Sequence, residues 1–215
     1  MRKAVVFDMD GVLFDTEKLC LDSWDAIAKE NGVGDVETVF LQCVGRNSND
    51  TRTIIMEHYG EDFPYDTFRK RTSEWTREYL RNNGMPIKPG VREILEFLKG
   101  AGYEIGLASS SGKETVRSHL QAAGLLEYFS VIVTGDRVEH SKPNPDIYLL
   151  ACEEMKVAPE AAYAIEDSPN GIRAAYAAGM SPIMVPDLIA PDDEMKELSF
   201  YIFKDLYEVK DFFQK

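Results

Sequence analysis

The chain of 215 residues is poor in cysteine and histidine, with three of each, and neither type is clustered. Cys20, Cys43 and Cys152 are odd in number and form no CxxC pair, so neither a thiolate metal site nor a disulfide framework follows. A reducing compartment fits them best. His58, His119 and His140 are equally scattered, which argues against an all-imidazole metal centre. Positive charge is short as well: 24 Lys and Arg stand against 37 Asp and Glu, a net charge of −13. That balance argues against nucleic acid and against an anionic membrane surface as partners. A small anionic substrate stays compatible, because a local site and a metal can overrule the global charge. Long hydrophobic runs are also missing. The apolar stretch ahead of Asp8 is far too short for a signal peptide or a membrane span, and the expected address is the cytoplasm.

What is present is enough for a packed core, at 44% apolar and 11% aromatic. Short apolar runs at 4–7, 105–108, 131–133, 162–165 and 182–185 read as buried strands. Helical patterns alternate with them from residue 90 onward. Val91, Ile94, Leu95 and Leu98 make one stripe, ended by Gly100 and Gly102; Val116, Leu120 and Ala123 make another, closed by Gly124. Asn144-Pro145 and Ser168-Pro169 each read as an N-cap followed by proline at the first helical position. The fold class is therefore α/β, a parallel sheet with helices on both faces. Between about residues 15 and 85 the alternation breaks into helical signals alone, followed by the linker-like "MPIKPG". The expected organisation is a core domain of residues 1–14 and 86–215 with a helical insertion at 15–85. "FYIF" and a terminal helix would finish the sheet.

Four strand ends carry polar residues. "FDMDG" sets Asp8 and Asp10 on the same side of an extended segment, where two bare carboxylates would repel each other. An EF-hand reading fails, because Gly11 follows Asp10 immediately and leaves no place for a third acid. The alternative is an Asp turn with Gly11 supplying unusual backbone angles. "LASSS" puts Ser109, Ser110 and Ser111 before a helix, either as an anion site or as a plain cap and loop. Lys142 in "SKPNP" could balance a phosphate and a carboxylate, or be a solvated surface charge. "AIEDSPNG" ends a strand on Glu166 and Asp167, either as metal acids or with Asp167 or Ser168 capping the next helix. Carboxylate oxygens without histidine or cysteine suit Mg²⁺, which keeps most of its waters.

In that order, "DMDGVLFDTE", "LASSS", "SKPNPD" and "IEDSPNGIRAA" resemble the four motifs of the haloacid dehalogenase superfamily, over about residues 3 to 185. The spacing is similar to its subgroup of small phosphatases and β-phosphoglucomutases, which implies a Rossmann-like core with an inserted helical cap. The resemblance further implies that Asp8 is the nucleophile, forming an aspartyl-phosphate, and Asp10 the general acid/base. Mg²⁺ would be held by Asp8, the backbone carbonyl of Asp10, and Asp167, with Glu166 a ligand or just behind. Ser109 and Lys142 match phosphoryl-binding positions, helped by the Ser110 N–H. Arg46, in "CVGRNSND", matches a cap arginine that binds the distal phosphate in β-phosphoglucomutase; otherwise it is a helix-surface arginine. Trp24 matches a cap tryptophan, but its apolar helical face points to core packing.

One position departs. Cys20 stands where β-phosphoglucomutase and many relatives carry a histidine, and a thiol is a poor hydrogen-bonding substitute. A mutase must shield its aspartyl-phosphate from water while an intermediate turns over; a phosphatase has no such need. The expected function is thus a Mg²⁺-dependent phosphatase, a monomer acting on a small phosphorylated metabolite such as a sugar phosphate. A β-phosphoglucomutase-type mutase is the rival, and a non-catalytic phosphometabolite-binding module is the third reading.

Overall fold

The computed structural model describes residues 4–44, 46 and 48–215. Six strands form one parallel sheet: β1 (Ala4–Phe7), β2 (Glu104–Ser109), β3 (Val131–Thr134), β4 (Ala162–Glu166), β5 (Ser181–Met184) and β6 (Tyr201–Ile202). Their spatial order is β3-β2-β1-β4-β5-β6. The chain therefore leaves β1 toward one edge and later returns to fill the other. β1 lies at the reversal, with β2 and β4 as its neighbours. Open α/β sheets form their crevice at such a point, beyond the carboxyl ends of the strands.

Side chains alternate across β1, so each face of the sheet receives its own core. Val5 and Phe7 pack with Ile94, Leu95 and Leu98 of α5 (Val91–Gly100) and with Val116 and Leu120 of α6 (Lys113–Ala123). Ala4 and Val6 pack with Ile147, Tyr148 and Ala151 of α7 (Asp146–Met155) and with Ala174 and Ala175 of α8 (Pro169–Ala177). Both faces being covered, the strand sequences carry almost no polar residues, as parallel sheets require. The proline-marked helix starts divide. Ser168 caps α8 by accepting a hydrogen bond from the Gly171 N–H at 3.1 Å. α7 instead begins at Asp146, and Asn144 turns its amide back to the Ser141 carbonyl at 3.1 Å. The loop's own closure wins over capping there.

Between β1 and α5 come four helices: α1 (Thr16–Asn31), α2 (Val36–Cys43), α3 (Ser48–Tyr59) and α4 (Tyr65–Asn83). They enclose a separate apolar cluster, with Trp24 edge-on to both Phe40 and Phe68 at 5.2 and 5.6 Å. Trp24 is thus a packing residue. The two chain crossings into and out of this helical insertion pair with each other. Asp15 N–H donates to the Pro86 carbonyl, and Lys88 N–H to the Leu13 carbonyl. A Lys88–Asp187 ion pair at 2.5 Å ties the outgoing crossing to the loop after β5. Further contacts bring the insertion over the sheet end: Ser141 donates to Asp50 at 2.7 Å, and Leu188 and Ile189 pack on the insertion's cluster. The sheet is finished by α9 (Asp193–Leu198), β6 and α10 (Leu206–Phe213). β6 occupies only the middle of "FYIF".

Candidate active site

Asp8 follows β1 directly, and its N–H donates to the Ile165 carbonyl, so β4 fixes where its side chain starts. Lys142 comes from the loop before α7 and donates to Asp8 at 2.5 Å, Glu166 at 2.6 Å and the Ala108 carbonyl at 3.2 Å. At 2% exposure it is no surface lysine. An ammonium so buried is held only by the carboxylates around it. Burial works against its charge, yet Asp8 and Glu166 outweigh that and keep its pKa above the usual lysine value.

Glu166, the last residue of β4, has both oxygens engaged. One accepts from Lys142 and from the Tyr148 hydroxyl at 2.6 Å; the other accepts from the Ser168 hydroxyl at 3.2 Å and the Asp167 N–H at 3.2 Å. Gly171 makes room for it, since a Cβ there would lie about 2 Å from the carboxylate. Asp167 differs. It is buried, and among the described residues no donor reaches its carboxylate. Burial, then Glu166 and Asp8, raise its pKa well above the ordinary aspartate range. Burial likewise pushes Asp8 up to about 8, with Lys142 pulling the other way.

Asp8, Glu166 and Asp167 offer oxygens within 4.8 Å of one another. An all-carboxylate set with one acid lacking any donor is a site short of positive charge, and it fits a hard divalent cation. Gly11 belongs to the same arrangement. Its φ of +83° disfavours a side chain, and a Cβ would come within 2.2 Å of the Asp167 carboxylate. Gly11→Ala is therefore expected to lower stability by about 1–3 kcal/mol, read as a shifted denaturant midpoint at unchanged slope.

Asp10 stands apart from the three acids and is held by two hydroxyls. Thr16, opening α1, donates to one oxygen at 2.5 Å, and Ser111 donates to the other at 3.0 Å. Ser109 is fully buried at the end of β2, and its hydroxyl accepts from the Ser111 N–H at 3.1 Å. Ser110 and Ser111 line a cleft of about 550 Å³ between the sheet end and the helical insertion, with Asp8, Asp10 and Asp167 on the same wall. Arg46 reaches that cleft from the insertion, its Nε buried and without a partner among the described residues. Cys20 also faces the cleft. Burial, then Glu17, raises its thiol, so it presents a protonated SH.

The structure thus gathers Asp8, Asp10, Ser109, Ser110, Lys142, Glu166 and Asp167 at one sheet end, with Arg46 opposite. Three contributors were not singled out from the sequence, and Ser111 is read there only as part of a possible anion site, not as a partner of Asp10. Thr16 lies inside a motif already noticed, and its hydroxyl was the available signal. Tyr148 reaches Glu166 from α7, and only tertiary packing brings it there. Glu17, also on the cleft wall, looked like an ordinary first-turn acid of α1.

A family model described as haloacid dehalogenase-like hydrolase matches residues 5–185. The phosphorylated carbohydrates phosphatase of Thermotoga maritima is 37% identical over 84% of this chain and 83% of its own length. The phosphoglycolate phosphatase of Nitrosospira multiformis is 30% identical over 99% and 96%. Among solved structures, CbbY from Rhodobacter sphaeroides in complex with phosphate superposes with a TM-score of 0.80 at 28% identity, covering 97% of this chain and 96% of that one.

Proposed function

Because the chain belongs to the haloacid dehalogenase-like hydrolases and is a phosphatase of that family, we propose that it hydrolyses small phosphate monoesters, sugar phosphates among them, through an aspartyl-phosphate on Asp8. Residues 15–85 act as the cap over a core of residues 1–14 and 86–215. The observation that carries this reading is the unequal treatment of two neighbouring aspartates. Asp8 is buried against Lys142, whereas Asp10 is steadied by two hydroxyls on the cleft wall. One is kept for bonding to phosphorus, the other for moving protons.

In the first step an oxygen of Asp8 attacks phosphorus and the ester bond breaks, the leaving oxygen taking a proton from Asp10. In the second, Asp10 removes a proton from water, which displaces the phosphoryl group from Asp8. The hydroxyls of Thr16 and Ser111 rotate to donate or accept as Asp10 changes protonation. Lys142 and the Ser110 N–H bind the phosphoryl oxygens, while Ser109 shapes the turn that presents Ser110 and Ser111. Mg²⁺, held by Asp8, the backbone carbonyl of Asp10, and Asp167, would screen the phosphate from the carboxylates. Glu166, saturated by other donors, stands behind it and holds Lys142. Arg46 serves the far end of the substrate.

The test is a panel of phosphate esters with Mg²⁺, following free phosphate, beside an assay of β-glucose 1-phosphate to glucose 6-phosphate with a bisphosphate primer. Isomerisation with negligible phosphate release would establish the mutase instead. No turnover and no Mg²⁺ binding would leave the binding-module reading. Chelation should abolish phosphate release, and Mg²⁺ should restore it. Since Asp8 and Asp167 must lose protons to hold a cation, and both have raised pKa values, Mg²⁺ affinity should strengthen as pH rises toward about 8. Calorimetric titration at pH 6 and pH 8 reads this directly, and equal affinities would contradict it.

A further inference from the structure

A second cavity, of about 240 Å³, lies outside the catalytic cleft, between α6 and β3. Val116, Leu126 and Ile132 give it an apolar floor, and Lys113, Arg117 and Arg137 stand around it. Three cations at one small cavity run against the balance of a chain with net charge −13. Lys113 and Arg117 sit one turn apart on the same face of α6, where like charges repel. Among the described residues Arg117 makes neither a hydrogen bond nor an ion pair. Two carboxylates stand close by, and both are engaged. Glu154 accepts from both terminal nitrogens of Arg137, and Asp136 accepts from the Thr134 hydroxyl and, at 3.4 Å, from the Lys113 N–H. Glu114 and Glu127, next in sequence to lining residues, do not line the cavity.

We propose that this cavity is a second ligand site, that it takes a small aliphatic monocarboxylate, and that its occupant acts on catalysis from behind the Ser109–Ser111 turn. Three cations against two carboxylates leave a surplus of one positive charge, which suits a monoanion better than a phosphate dianion. The unpaired Arg117 offers the planar fork that a carboxylate accepts from in bidentate fashion. The floor of Val116, Leu126 and Ile132 gives a short hydrocarbon body somewhere to leave water. A second charge on the ligand would fall against that floor or against Glu154. The link to the catalytic cleft is short. Thr134, on the cavity wall, pairs in register with Ser109, and the Gly135 N–H donates to the Ser111 carbonyl at 3.0 Å. Gly135 packs so closely that a Cβ there would come within 2.2 Å of the Ser110 carbonyl oxygen. An anion joining Arg117 and Lys113 of α6 to the loop after β3 holds that turn in one arrangement. The phosphoryl group then meets a Ser110 N–H already in place, and KM falls.

The experiment uses Mg²⁺-loaded enzyme with methyl-labelled Val, Leu and Ile, titrated with isovalerate and, separately, with isovaleramide, which has the same shape without the charge. Isovalerate should shift the methyl signals of Val116, Leu126 and Ile132, and isovaleramide should bind at least about tenfold more weakly. Arg117→Gln should weaken isovalerate binding by about ten- to a hundredfold, the loss of a hydrogen bond between charged groups, while keeping the wild-type thermal midpoint. With p-nitrophenyl phosphate as substrate, saturating isovalerate should lower the wild-type KM by about fivefold or more and leave that of Arg117→Gln unchanged. Equal binding of the acid and the amide overturns the proposal, since it makes the cavity an apolar hollow only. So does a titration in which isovalerate leaves the three methyl groups unmoved, or one in which it binds there without changing KM. The methyl signals report on the site whether or not the ester is turned over, so a failure of the phosphatase reading is seen separately.

Discussion

Asp8→Asn should lower phosphate release from every ester by at least ~10³-fold while leaving the fold as stable as before or more so. The two halves of this expectation come from different properties of one side chain. An amide has almost the shape of a carboxylate, and its oxygen can still accept from Lys142, which lies 2.5 Å from the native Asp8 oxygen. It has no nucleophilic oxygen, so no acyl phosphate forms. On the stability side, Asp8 has a pKa raised to about 8, meaning the fold favours its neutral form. A group raised in this direction contributes stability at low pH that is lost as pH rises through its folded value. The permanently neutral asparagine removes that loss, so the gap between variant and wild type should open between about pH 4 and pH 8 in the variant's favour. Phosphate release and mass spectrometry of acid-quenched enzyme check the chemistry, and thermal melts across that range check the linkage. Wild-type turnover by the variant would exclude the aspartyl-phosphate route.

The sheet was readable because its strands carry apolar residues on both faces, and β1 to β4 stop at polar residues. "AVVF" before Asp8 and "AYAI" before Glu166 mark where the strands end and where the crevice lies. Motif order then identified the polar ends as one site. What stayed hidden depends on contacts between distant segments. Nothing around Tyr148 distinguishes it from a core tyrosine until α7 is docked against the sheet. Glu17 is misleading for the opposite reason. An acid in the first turn of a helix is ordinarily explained by the helix dipole, and only the cleft shows it turned toward Asp8 and Asp10 with no hydrogen-bond donor among the described residues. Asn144 shows the limit of local rules, since its cap-like position was overruled by a hydrogen bond within the preceding loop. Cys20 was noticed as a departure from relatives. The structure adds that it lies on the cleft wall, with a thiol that burial keeps protonated.

Lys142→Met should destabilise the protein by about 3–5 kcal/mol near neutral pH, a larger effect than for any exposed ion pair in the molecule. Methionine fits the channel of the lysine stem, so packing changes little and the loss is electrostatic. Without the ammonium, Asp8 and Glu166 remain buried beside Asp167 with no cation at hand. Lys142 is the main influence lowering the pKa of Asp8, so its removal pushes that carboxyl above about 8. The sign of the pH dependence follows. Wild type retains the stabilising lysine charge until pH rises past the ordinary lysine range, because burial is outweighed by Asp8 and Glu166. The variant keeps its stability only where Asp8 can hold a proton. The difference between the two should therefore stay nearly level up to about pH 8 and widen above it, where wild-type Asp8 ionises against Lys142 and the variant's carboxyl must keep its proton. Denaturant midpoints at pH 7 and pH 9 read it out, and a gap that does not widen above pH 8 would mean that Lys142 acts through packing alone. Phosphate release should fall as well, but the stability gap is the sharper test, since it reports on the charge arrangement before any substrate or metal is added.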